Sequence, residues 1–97
     1  AAYVAGRHSD WAVPAVRVLA TFQAPAAEVA GRLGEAPGDV TPIGENRCRL
    51  DRRSEDSLAW LATRMTALGC DFQVHQPPEL IEHLRSLADR ATRAALG

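Results

Sequence analysis

The chain contains no lysine, and all eleven of its basic residues are arginines. Any basic patch it presents is therefore built from planar guanidinium forks rather than point charges. The same bias travels with many Ala, Gly and Pro residues and is read as the mark of a GC-rich genome. Cysteine is scarce, with only Cys48 and Cys70, too few for a disulfide scaffold and without the paired spacing of a metal site. A reduced, cytoplasmic location is expected. No apolar run approaches the ~18 residues that cross a bilayer, and the start of the chain lacks the basic and apolar regions of a secretory signal, so no membrane partner is expected. A Gly-rich phosphate loop is also missing, and His8, His75 and His83 show no nucleophile–base spacing. No catalytic residue, metal ligand or cofactor is assigned, and the chain is expected not to be an enzyme. With eleven basic and twelve acidic residues, the formal charge of −1 excludes a domain-wide trap for nucleic acid.

What is present suffices for one modest core: 97 residues, of which 46% are hydrophobic and 24% charged, the balance of an ordinary globular domain. The chain opens on Ala1 without an initiator methionine, and its first strong pattern begins near Ala15. Residues 1–14, with His8-Ser9-Asp10 and Pro14, read as a linker from missing upstream domains, in which Tyr3, Val4 and Trp11 offer docking groups. Residues 15–97 read as the domain. Val16, Val18, Ala20 and Phe22 alternate as one face of a strand. Pro25 suits the first turn of a short helix carrying Ala26, Val29, Ala30 and Leu33, closed by Gly34. From Asp39 to Arg53 the pattern is a hairpin turning at Gly44-Glu45-Asn46, with Cys48 and Leu50 on one face and Arg47 and Arg49 on the other. Ser54 is expected to cap a second helix whose stripe is Leu58, Leu61, Ala62, Met65 and Leu68 and which ends at Gly69. Cys70, Phe72 and Val74 alternate in a fourth strand stopped by Pro77-Pro78. A third helix to Leu96 is expected to turn Leu80, Leu84, Leu87, Ala88 and Ala91 inward.

The order strand, helix, strand, strand, helix, strand, helix implies an α+β fold: a ferredoxin-like βαββαβ sandwich with an additional C-terminal helix. Right-handed crossovers place the first and third strands centrally and the second and fourth at the edges. Pro42, which lacks a ladder donor, then falls on an edge strand. Both cysteines face the helices from strands on opposite sides of the first strand, about two spacings of ~4.8 Å apart. No disulfide is expected, and two reduced, buried thiols are.

Asp56-Ser57-Leu58-Ala59-Trp60-Leu61, then Leu68-Gly69-Cys70-Asp71-Phe72-Gln73-Val74, then Pro77-Pro78-Glu79-Leu80, together with the leading strand Val16 to Phe22 and Ala24-Pro25-Ala26, resemble the C-terminal extension (WCX) domain of WYL-domain transcriptional regulators. The resemblance covers roughly residues 15 to 95 and implies a bacterial, commonly homodimeric regulator. Its DNA contacts would come from a missing N-terminal helix-turn-helix, its effector would be a nucleic-acid fragment or small molecule, and the extension would relay that signal and assist dimerisation. The Trp-Tyr-Leu signature and the helix-turn-helix are both absent from this chain. The alternative is a free-standing ACT-like small-molecule sensor, against which Ala24-Pro25-Ala26 argues, since a glycine-rich loop is expected there.

Strand phase puts Arg17, Leu19, Thr21, Gln23, Arg47, Arg49, Asp71, Gln73 and His75 on the sheet face away from the helices. Arg17, Arg47, Arg49 and His75 are candidates for a ligand or interface, since guanidinium forks bind phosphate and carboxylate bidentately; the plain alternative is a solvated face with charge pairing. No aromatic stands on this face of the central strands to stack bases, which argues against an RNA-recognition role. Arg52 and Arg53 precede a helix start and could meet an anion, but Glu55 and Asp56 favour internal pairing. Trp60 lies off its helix's core stripe, either as an interface aromatic or as cover for the sheet edge or last helix.

Overall fold

A computed structural model describes residues 15–35 and 37–97; the segment read as a linker, with Tyr3, Val4, His8 and Trp11, lies outside the described residues. Strand β1 (Val16–Phe22) turns Val18, Ala20 and Phe22 fully inward. Helix α1 (Ala26–Leu33) follows, with Pro25 at its N-cap in an extended conformation (φ −62°, ψ 144°), one position earlier than the periodicity suggested. Gly34 ends it in the left-handed region (φ 71°), where a side chain would be strained, and donates its N–H to the Ala30 carbonyl. A single 3₁₀ turn (Pro37–Asp39) leads into β2 (Val40–Gly44), and Glu45-Asn46 turns the chain into β3 (Arg47–Ser54). Helix α2 (Leu58–Thr66), strand β4 (Phe72–Gln76) and helix α3 (Pro78–Leu96) complete the order.

The sheet order is β2-β3-β1-β4, and each neighbouring pair is antiparallel. This is the expected ferredoxin-like arrangement, with Pro42 on an edge strand. One face is sealed by helices: Val18, Ala20, Phe22, Cys48 and Leu50 from the sheet meet Val29 of α1, Leu61, Ala62 and Met65 of α2, and Leu80 of α3. Phe22 stacks on Phe72 across the β1–β4 pair, with centroids 5.5 Å apart and rings inclined by 22°.

Three expectations are corrected. Ser54 is not the cap of α2 but the last residue of β3, paired with Val16 and 2% exposed. Its hydroxyl accepts the Asp56 N–H, while Ser57 caps the helix by accepting from the Trp60 N–H. Cys70 is not in β4, which begins two residues later, and is only partly buried. Finally, Ala88 and Ala91 are exposed, as is every residue from Ala88 onward. The cause is length. The nine residues of α2 span about 13 Å and the nineteen of α3 about 28 Å, so the third helix outruns the layer it packs on.

At the far end of β3, Arg52 shows internal pairing. Its Nε lies 2.7 Å from Glu35 Oε2, with side-chain exposures of 18% and 8%, and its Nη2 donates to Asp56 Oδ2 at 3.2 Å. The Nε–H is not aimed at the Glu35 oxygen, so that contact is ionic rather than a formed hydrogen bond. The pair ties the segment after α1 to the end of β3.

Both thiols are free. Burial pushes the Cys48 thiol above its usual range, with a smaller contribution from Cys70; burial also raises Cys70, followed by the Glu28 and Asp71 carboxylates. Thiolate is the reactive form. Alkylation of the native chain at neutral pH is therefore expected to modify Cys70 slowly and to leave Cys48 untouched until the chain unfolds. Mass mapping checks this, and early labelling of Cys48 would contradict the burial. The core predicts a second outcome: Phe22→Ala removes a fully buried, stacked ring and should cost about 3–5 kcal/mol in a urea unfolding series, a large share of a margin of ~5–15 kcal/mol.

Candidate functional site

The pleat that turns Val18, Ala20 and Phe22 toward the helices turns their neighbours to the opposite face. Arg17, Leu19 and Thr21 of β1, Arg47, Arg49, Asp51 and Arg53 of β3, and Gln73 and His75 of β4 share it. The buried residues of all three described helices belong to the other side. Four guanidinium groups thus stand on this face against the Asp51 carboxylate.

Register decides what each charge does. Arg17 and Asp51 are diagonal neighbours across β1 and β3, since Leu19 is the residue opposite Asp51. The Arg17 guanidinium grips the carboxylate with both ends: Nε donates to Oδ1 at 2.9 Å and Nη2 to Oδ2 at 2.8 Å. That fork holds Asp51 below the usual carboxylate range, and the nearby charge of Arg49 acts in the same direction. The Arg17 guanidinium is raised in return. Arg53 sends Nη2 to the Ala15 carbonyl at 3.2 Å, where the chain enters β1. Arg49 stands opposite both Thr21 and Thr41, and Arg47 opposite Gly44 near the hairpin turn. Neither makes an ion pair with a described residue.

Thr21 and His75 meet at 2.9 Å between Oγ1 and Nε2, with Thr21 only 8% exposed. A hydroxyl on an imidazole nitrogen is the first contact of a nucleophile–base pair. Nucleophilic catalysis also needs a group that orients the second ring nitrogen, and among the described residues no hydrogen bond reaches His75 Nδ1. The pair cross-links β1 and β4. No cluster of three or more His, Cys, Asp or Glu among the described residues could hold a metal ion.

Of the residues singled out from sequence, Arg17, Arg49 and His75 share one face, with Arg47 at its hairpin edge. Trp60 does not join them. It lies on α2, 49% exposed, with the Arg64 guanidinium carbon 5.5 Å from its ring centroid. Arg64 also donates to the Arg32 carbonyl at 2.7 Å, linking α2 to the end of α1. Two expected members of the face are displaced: Gln23 follows β1 and Asp71 precedes β4, joined by a backbone hydrogen bond of 2.9 Å from the Gln23 N–H to the Asp71 carbonyl. Asp51 was not singled out from sequence. Its position two residues beyond Arg49 on the same strand face was the available signal.

The Arg17–Asp51 fork makes a titration prediction. A depressed carboxylate contributes stability above its unfolded pKa and loses it as pH falls through the lower folded value. Carbon-detected NMR should therefore find Asp51 titrating below the ordinary ~3.9, and Arg17→Gln should move it back toward that value. An Asp51 midpoint indifferent to Arg17→Gln would contradict the fork.

The family model of the WCX domain matches residues 14–92, from just before β1 to well inside α3. Neither the curated proteins nor the solved structures contain a match to the chain. Because that one model spans all four strands and reaches Thr92 of the last helix, the chain belongs to the WCX domain family.

Proposed function

We propose that the chain is a non-catalytic C-terminal regulatory domain of a WYL-type helix-turn-helix transcriptional regulator, acting in dimer assembly and in relaying effector binding to a DNA-binding region elsewhere in the protein. The observation that carries this reading is membership of the WCX family over residues 14–92. The sheet face lends it a physical means. Guanidinium groups on short strands are held at fixed spacing by the ladder, so Arg49 and Arg47 can meet carboxylates or phosphates of a neighbouring domain in a defined register. Arg17, already engaged by Asp51, would hold the face's shape rather than contact the partner.

Such a regulator works where DNA is, which agrees with a cytoplasmic location; no described helix is long and apolar enough to cross a membrane. A half-exposed Trp60 backed by Arg64 offers a second contact on the opposite layer, as a rigid aromatic with large contact area. The two faces would let one domain touch two neighbours.

Two measurements test the reading. The coding sequence upstream of Ala1 should specify a WYL barrel and a winged helix, and an unrelated domain there would overturn it. Sedimentation velocity of the 97-residue chain should show weak self-association that Arg49→Glu or Trp60→Ala reduces, and unchanged monomers for all three would remove the assembly role.

A further inference from the structure

Four segments meet at the end of the sheet where β1 and β4 join their helices. They enclose a cleft of about 230 Å³. Gln23, Ala24 and Pro25 come from the β1–α1 connection, Glu28, Val29 and Arg32 from α1, Asn46 from the hairpin turn, and Leu68, Gly69 and Cys70 from the α2–β4 connection. The volume is below the ~300–1,000 Å³ of sites for drug- and cofactor-sized molecules, so an occupant is smaller than a nucleotide.

The lining separates by chemistry. Ala24, Val29 and Leu68 are buried and supply a small apolar floor beneath a mostly polar lining. The rim carries the carboxamides of Gln23 and Asn46 and one ion pair, Arg32 Nη2 to Glu28 Oε1 at 2.9 Å, whose side chains are 58% and 41% exposed. Arg32 is also fixed from behind: its Nη1 donates to the Leu68 carbonyl at 2.8 Å. A guanidinium has five N–H donors, so this one is held in place with donors to spare. An exposed i,i+4 pair contributes little to stability, so a ligand that rearranges it loses little.

Opposite charges side by side discriminate between ligands. A simple anion drawn to Arg32 meets the Glu28 carboxylate, and a simple cation drawn to Glu28 meets Arg32. A molecule carrying an ammonium and a carboxylate on the same carbon satisfies both. We propose that this cleft binds a free α-amino acid, its ammonium on Glu28, its carboxylate on Arg32 and Asn46, and its side chain against Ala24, Val29 and Leu68. The inference goes beyond the regulator reading and does not depend on it, since it concerns only residues of this domain.

Amide chemical shifts of the isotope-labelled chain, titrated separately with each common L-amino acid, test the site. At least one apolar amino acid should give saturable shifts confined to the cleft segments. With L-leucine as the working probe, 4-methylpentanoate lacks the ammonium and 3-methylbutylamine lacks the carboxylate; each should bind at least about tenfold more weakly, a loss of ~1.4 kcal/mol. Glu28→Gln should weaken the amino acid by a similar factor, and Asn46→Ala, in an exposed turn, should weaken it while leaving the fold intact. No saturable shift with any amino acid, equal binding of the single-charge analogues, or indifference to Glu28→Gln would each overturn the site, while leaving the upstream-sequence and sedimentation tests of the regulator reading untouched.

Discussion

The fold rests on one strand being paired along both edges. β1 ladders with β3 from Val16 to Phe22 and with β4 from Leu19 to Phe22 through a register shift after Leu19, and its inward side chains Val18, Ala20 and Phe22 have no solvent exposure. Its register is therefore fixed from both sides and from above. Slipping it by one residue would turn Arg17, Leu19 and Thr21 into the core and cast the phenyl ring of Phe22 into water. Every helix depends on that choice, because Val29, Leu61, Met65 and Leu80 belong to the same buried cluster as those side chains.

The same constraint explains which features were legible in the sequence. Alternation in Val16 to Phe22 and Arg47 to Leu50 has period two with a clear apolar face, so strand phase, sheet order and the edge position of Pro42 followed from sequence and the handedness of crossovers. The end of β3 was obscured because Arg52 and Ser54 stand on the core side at its rim, where a polar residue closes the layer: Arg52 through Glu35 and Asp56, Ser54 through the Asp56 N–H. A serine before two acidic residues has the local signature of a helix cap, and tertiary pairing with Val16 overrode it. The inward assignment of Ala88 and Ala91 failed for a different reason. Periodicity identifies the face of a helix and carries no information about where the opposing layer stops.

Charged side chains were harder to assign than apolar ones. That Arg17 and Arg49 share a face is a matter of phase, but that Arg17 is bound by Asp51 while Arg49 meets no described carboxylate is a matter of diagonal neighbours across two strands. Such a neighbour requires the hairpin register and the register of β3 on β1 together, and no single segment contains both. The surroundings of Trp60 are hidden from the sequence for the same reason: the cation over its ring, Arg64, lies one helical turn away, and that guanidinium also donates to the Arg32 carbonyl on another helix.

The arginine face and the cleft have β1 in common. Arg17 and Thr21 stand on one side of the strand and are held by Asp51 and His75, while Gln23, immediately beyond its end, lines the cleft and bonds through its backbone N–H to Asp71 beside Cys70. A strand paired on both edges does not bend independently of its neighbours, so a displacement of the β1–α1 or α2–β4 connection acts on the sheet as a body rather than on one side chain. Helix α1 closes that frame beside the cleft: Val29 is buried, Ala26, Ala30 and Leu33 pack against the core next to it, and its end is held by Arg64 and by Gly34. A domain built this way has a charged sheet face on one side and a small cleft at its rim, and the doubly paired β1 connects the two.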